Sequence, residues 1–110
     1  MRGGGMGAFR KVADRESLAP GRATVVEVGS ERIALFNVAG TFYAIGDTCT
    51  HRGGPLSEGS LDGSTVTCPW HGARFDVCSG RNLTPPAPGE VPCYRVRVQG
   101  NDVEVEIASE

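Results

Sequence analysis

An all-β fold is what this 110-residue sequence predicts, on three observations. Short runs rich in Val, Ile, Thr and aromatic residues alternate with polar ones at period two, the spacing of a strand with one buried face. Clusters of Gly, Pro, Asn and Asp separate those runs, as turns between strands require. No segment of any length carries its apolar residues at the helical period.

Residues 1–7 are Gly-rich and aperiodic and are expected as a disordered tail, ahead of a single domain over residues 8–110. Residues 8–13 make a first short strand. Residues 14–19 have room for one helical turn before Pro20-Gly21 stops it. Residues 24–28 and 32–38 are β-branched or aliphatic and are separated by Gly29-Ser30-Glu31, a hairpin signal. Ala39-Gly40 then turns the chain into a strand over residues 41–45. Between loops at residues 47–54 and 69–72, residues 64–67 make a short strand candidate; residues 73–77 are another, with Ser79-Gly80 a turn. Thr84-Pro85-Pro86-Ala87-Pro88-Gly89 is stiff, because proline fixes its own φ and restrains its neighbour. Residues 91–98 read as one strand with Tyr94, Val96 and Val98 on one face and Arg95 and Arg97 on the other. After the turn at Gly100-Asn101-Asp102, Val103, Val105 and Ile107 alternate with Glu104 and Glu106, as in a half-exposed antiparallel strand.

A chain of this length forms a core of its own. The formal net charge of −2 argues against nucleic acid and anionic membranes as partners. No apolar run is long enough to cross a bilayer and no signal-peptide pattern is present, so a cytoplasmic protein is expected. Four cysteines are consistent with two disulfides, but disulfides are rare in that compartment. Two of the four stand in sequence beside the only two histidines. The other two, Cys78 and Cys93, are expected as buried or half-buried thiols, a bridge between them being the alternative.

The chemistry lies between Cys49 and His71. Cys49-Thr50-His51 and Cys68-Pro69-Trp70-His71 form C-x-H and C-x-x-H pairs sixteen residues apart, each in a segment rich in Gly and Pro. Thiolate and imidazole suit zinc or an iron–sulfur centre, since both accept sulfur and nitrogen donors. The alternation of Cys and His favours the second. With Gly53-Gly54-Pro55-Leu56 and Gly59 after the first pair, and Gly72 with Phe75-Asp76 after the second, the chain resembles the Rieske [2Fe–2S] family, in particular its small soluble ferredoxins. Thr41-Phe42-Tyr43-Ala44-Ile45 and Tyr94-Arg95-Val96-Arg97-Val98 are similar too, so the resemblance runs from about Phe9 to Ile107.

That resemblance implies an antiparallel β-sandwich or barrel-like base carrying a small inserted cluster-binding subdomain over about residues 47–84. It implies one [2Fe–2S] cluster, with Cys49 and Cys68 on one iron and His51 and His71 on the other. It also implies that the two histidines lie near the surface, where the electron enters and leaves, and that their free ring nitrogens make the potential pH-dependent at high pH. The Pro-rich segment would be a third loop over the cluster. High-potential relatives carry an inter-loop disulfide and two hydroxyl donors, and the matching positions here are Gly54, Trp70, Ala73 and Phe75. Fewer hydrogen bonds to the sulfurs place the expected potential at the low end of the Rieske range of about −150 to +300 mV. Trp70 is expected to shield the cluster or contact a partner. Arg52, Arg74, Asp47, Glu58 and Asp62 are expected as solvated charges ringing the site, with a role in electrostatic docking.

The function implied is one-electron carriage, without substrate turnover, from a flavoprotein reductase to a terminal aromatic-ring-hydroxylating oxygenase. A monomer is expected, and it binds neither nucleic acid nor membrane. The alternative is the small Rieske subunit of an assimilatory NAD(P)H nitrite reductase. A structural zinc domain fits less well, because zinc fingers place two Cys together and then two His beside a helix. A complete Rieske oxygenase needs a further mononuclear iron site with its own histidines, and none remain in this sequence.

Overall fold

The computed structural model describes residues 7–29, 31–48, 54–70, 72–84 and 90–108. Its strands are β1 (Gly7–Asp14), β2 (Ala23–Val28), β3 (Glu31–Val38), β4 (Thr41–Gly46), β5 (Ser60–Asp62), β6 (Thr65–Thr67), β7 (Arg74–Asp76), β8 (Cys93–Tyr94), β9 (Val96–Gln99) and β10 (Asp102–Ala108). Two 3₁₀ turns, Arg15–Ser17 and Leu56–Glu58, are the helical elements among the described residues. The strands form three sheets in the orders β1-β10-β9, β2-β3-β4-β8 and β5-β6-β7, and every pairing is antiparallel. The all-β expectation holds, with the first two sheets as a base and the third as a small separate unit. Residues 1–6, most of the expected tail, lie outside the described residues, and Gly7 is already paired with Ala108.

The centre of the molecule is β3. The sequence suggests one buried face here, but Ile33, Ala34, Leu35 and Phe36 are all fully buried. Successive strand residues point to opposite faces, so β3 serves two cores. Ile33 and Leu35 pack with Leu18, Phe42, Ala44, Val103 and Val105, between the two base sheets. Ala34 and Phe36 pack with Ile45, Leu56, Val66, Cys68, Phe75 and Val77, which ties the base to the small sheet. A continuous apolar run is the mark of a strand covered on both sides. The covering element is the inserted unit, which the apolar run of β3 does not identify.

The two-residue connection Ala39-Gly40 has positive φ at both positions, 53° and 95°, the handedness that matches strand twist in a tight hairpin. Asn37 closes it. Its side-chain oxygen accepts from Gly40 N–H at 2.8 Å, and its side-chain nitrogen donates to Leu18 C=O at 2.7 Å, so this buried amide is satisfied.

The stretch at 91–98 is not one strand. β8 pairs with β4 and β9 pairs with β10, so the chain changes sheets at Arg95, whose carbonyl accepts Glu106 N–H at 2.9 Å. Tyr94 and Val96 still face the same core, while Val98 is exposed. On the outer side Arg97 pairs with Glu104 at 2.7 Å and stacks 4.1 Å from the Phe9 ring centroid. A corner leaves side-chain alternation intact, which is why period two alone reads straight through it.

Tyr94 donates its hydroxyl to Glu31 at 2.9 Å beside a cleft of about 260 Å³ lined by Arg32, Asp47, Thr48 and Pro92. Burial, and then the bond to the Glu31 carboxylate, push its phenol up to about 12. The unfolded phenol, with its ordinary value of about 10, gives up its proton first. The contribution of Tyr94 to stability is therefore present in full below about pH 10 and is lost as pH rises through about 12. Tyr43, the only other tyrosine, is also raised, chiefly by its hydrogen bond with Cys78. An ultraviolet titration of the folded protein should show both phenols ionising above the ordinary range, with the transition near pH 12 missing in Tyr94→Phe. If the transition that Tyr94→Phe removes is centred at the ordinary tyrosine value, the burial and Glu31 bond assigned to Tyr94 are refuted.

Candidate metal centre

Two segments carry the sequence-identified ligands, and the fold brings their described parts into contact. The first leaves β4 at Gly46, whose N–H donates to Pro92 C=O at 2.8 Å. Asp47 follows and is 1% exposed. Thr48 and Pro55 form an isolated antiparallel bridge, so the segment between them leaves and returns at one place. Leu56, fully buried at the start of its 3₁₀ turn, anchors the return.

The second segment is a tight connection between β6 and β7. Cys68 N–H donates to Ala73 C=O at 2.7 Å, and Gly72 N–H donates to Cys68 C=O at 3.0 Å. Gly72 has φ +77°, a left-handed conformation that a side chain disfavours, so this loop needs glycine there. Cys68 is 2% exposed and packs in the core shared with Leu56, Val66, Ala73 and Phe75.

Gly54 joins the two segments. A Cβ built on it would lie 2.7 Å from Cys68 Sγ and 2.9 Å from Trp70 Cγ. Only a residue without a side chain lets the first segment's backbone come this close to the second segment's sulfur. Gly54 and Trp70 are also the two positions that the resemblance matches to the inter-loop disulfide of high-potential relatives, and they face each other here. Cys49, His51 and His71 lie outside the described residues, as do Arg52, Gly53 and residues 85–89 of the Pro-rich segment. That segment's described start is moored to β7: Leu83 N–H donates to Arg74 C=O at 2.8 Å, and Arg74 N–H donates to the Thr84 hydroxyl at 2.6 Å.

The donor chemistry fits an iron–sulfur group. Cys68 offers a buried sulfur at the junction of both segments, and the remaining donors of the sequence motif flank that junction within a few residues. Ala73 and Phe75, where hydroxyl donors are matched in high-potential relatives, are both buried beside Cys68 and carry no hydroxyl.

Several expectations for single residues change. Asp47 is no solvated surface charge. Its Oδ1 accepts Ser57 N–H at 2.7 Å, and its Oδ2 lies 3.5 Å from Arg32 Nη2. Sequence offers no signal for that burial beyond the position of Asp47 at the strand end. Arg74, Glu58 and Asp62 are exposed, as expected, and Trp70 is 58% exposed. Cys78 and Cys93 are free thiols, but both are exposed rather than buried. No helix among the described residues is long and apolar enough to cross a membrane.

A β base with an inserted three-stranded unit, and a buried cysteine where the two segments of the Cys/His motif meet, are the frame of an iron–sulfur domain of the Rieske class. The sequence matches the Rieske [2Fe–2S] domain family over residues 8–95, and the chain belongs to that family. Its group is a [2Fe–2S] cluster of the Rieske type. Among its relatives, the biphenyl dioxygenase ferredoxin subunit of Pseudomonas sp. (strain KKS102) is 38% identical, with 91% of this chain and 93% of that protein covered. The 3-phenylpropionate/cinnamic acid dioxygenase ferredoxin subunit of Escherichia coli (strain K12) is 46% identical over 68% of this chain and 72% of that protein. Among solved structures, a chain in the complex of reduced oxygenase and oxidized ferredoxin in carbazole 1,9a-dioxygenase superposes with a TM-score of 0.83 at 37% identity, covering 89% of this chain and 92% of that one. A putative NADH-dependent nitrite reductase small subunit from Mycobacterium tuberculosis superposes with a TM-score of 0.85 at 23% identity, covering 94% and 98%, a likeness of fold.

Proposed function

We propose that this protein is a one-electron carrier, not itself an enzyme, that passes electrons from a flavoprotein reductase to a terminal aromatic-ring-hydroxylating oxygenase. The observation that carries the proposal is the contact of Gly54 with Cys68 Sγ, which joins the two segments bearing an alternating Cys/His motif. Cys49 and Cys68 are the sulfur ligands and His51 and His71 the nitrogen ligands, within a single domain whose cluster-binding part spans about residues 47–84. Ferredoxin subunits of dioxygenases that match nearly end to end support the carrier role, and the carbazole complex supports an oxygenase as partner. The protein works as a cytoplasmic monomer. The reading as a nitrite reductase small subunit rests on likeness at lower identity.

When bound, such a cluster supplies one-electron exchange at potentials of about −150 to +300 mV. What this chain adds is the surroundings of Cys68: a dry core, and no hydroxyl from Ala73 or Phe75 to favour added negative charge. Voltammetry on anaerobically purified protein should therefore give a reversible wave near the low end, about −150 mV. Ala73→Ser should shift it upward by about 45–65 mV, the equivalent of one net hydrogen bond of about 1–1.5 kcal/mol in a one-electron couple. A clearly positive wild-type midpoint, or no wave in metal-replete protein, would overturn the proposal. Purification as a fixed subunit of a larger nitrite-reducing enzyme would favour the alternative.

A further inference from the structure

The geometry points to Asp47 as the positioning residue for the first ligand segment, acting as a hydrogen-bond acceptor that ties the two ends of that segment together. This rests on the proposed binding of a cluster by Cys49 and His51.

Asp47 is one of two buried polar or charged residues among those described, and the other, Asn37, belongs to a hairpin far along the sheet. A buried carboxylate is costly unless its oxygens find partners. Those of Asp47 find partners on both sides of the segment. Upstream, its N–H donates to Arg32 C=O at 3.0 Å, which extends the β3–β4 ladder one step past Gly46. Its Oδ2 faces Arg32 Nη2 at 3.5 Å, and Arg32 also holds Glu27 at 2.8 Å. Downstream, its main-chain carbonyl accepts Leu56 N–H at 2.6 Å and its Oδ1 accepts Ser57 N–H at 2.7 Å. One residue therefore fixes the end of β4 to the first turn beyond the segment, using main chain and side chain together. The Thr48–Pro55 bridge lies just inside these bonds.

The distances rank the two side-chain interactions. The bond to Ser57 N–H is short and joins a 1%-exposed oxygen to main chain. The Arg32 contact is at the limit of bonding and its guanidinium is half exposed, so it contributes little. The accepting oxygen, rather than the charge, carries the positioning. Asparagine keeps such an oxygen, and alanine removes it.

The test compares wild type, Asp47→Asn and Asp47→Ala as anaerobically purified holoproteins. It measures iron and sulfide per chain, the rate of iron release to a chelator, and the electron paramagnetic resonance spectrum of the reduced protein. Asp47→Ala should release iron about tenfold faster or more, the usual cost of losing a residue that orients a ligand, with a shifted or broadened resonance. Asp47→Asn should stay within about threefold of wild type, with an unchanged spectrum. Three results would overturn the inference: wild-type release and spectrum in Asp47→Ala, equal loss in both variants, or an altered spectrum in Asp47→Asn. If Asp47→Ala does not fold, Asp47→Asn decides on its spectrum and release rate. Wild type lacking iron and sulfide would instead refute the cluster-binding proposal itself.

Discussion

Cys68→Ala should purify with no iron, against about two irons and two sulfides per chain for wild type. The side chain it removes is 2% exposed and sits where both ligand-bearing segments meet, so no other sulfur can take its place. Cys78 and Cys93 are exposed thiols outside the Cys/His motif, and replacing either with alanine should leave iron content unchanged. Those two variants control for the general effect of losing a thiol. The loss of packing in Cys68→Ala is small, about 1 kcal/mol for a group of that size, so the protein should keep its β-rich circular dichroism. The same loss of iron is expected for alanine at Cys49, His51 or His71. Zinc in place of iron in the wild type, or full iron retention in Cys68→Ala, would remove the basis for the assignment.

Gly54→Ala should be the most damaging added methyl group for cluster retention among the described glycines. The added carbon would lie 2.7 Å from Cys68 Sγ and 2.9 Å from Trp70 Cγ, closer than real contacts allow. The Trp70 ring is exposed and can swing away, but Cys68 is buried in the core that also holds Leu56, Val66, Ala73 and Phe75. Overpacking of this kind costs about 1–3 kcal/mol, and here it falls on a proposed ligand. The expected result is a lower melting temperature together with partial iron occupancy and a changed visible spectrum. Gly80→Ala separates the two effects. Its new carbon would clash with the main-chain oxygen of Val91, which is not bonded to any residue of the Cys/His motif. It should lower the melting temperature while leaving the spectrum of whatever holoprotein remains like that of wild type. Matching spectra in Gly54→Ala and wild type would mean that the contact with Cys68 does not shape the site.

Most of the fold is legible in the sequence because strand formation here is a local matter. The hairpin over residues 23–38, the Ala39-Gly40 turn and the alternation of Val103, Val105 and Ile107 follow from side-chain period and turn chemistry. The short strand β5 and the 3₁₀ turn at Leu56–Glu58 are not signalled, because each offers a single apolar residue, Leu61 or Leu56, beside polar ones, whereas Thr65-Val66-Thr67 is β-branched throughout and residues 73–77 alternate. The ligand motif is legible for a different reason. The only two histidines of the chain alternate with two cysteines at a spacing that suits few other uses, so residue identity alone points to the chemistry.

Residue types and local pattern account for the all-β class, most of its strands and the set of donors offered to a metal. Packing between the sheets settles which faces those strands cover. β3 is buried on both sides because the β5–β7 sheet closes over it, and the stretch at 91–98 bends from one sheet into another at Arg95. It also decides that Asp47 is an internal brace rather than a surface charge, and that Gly54 meets Cys68. Each of these is a contact between residues distant in sequence or between whole sheets. Local pattern records which side chains prefer to leave water, but not which partner they find when they do.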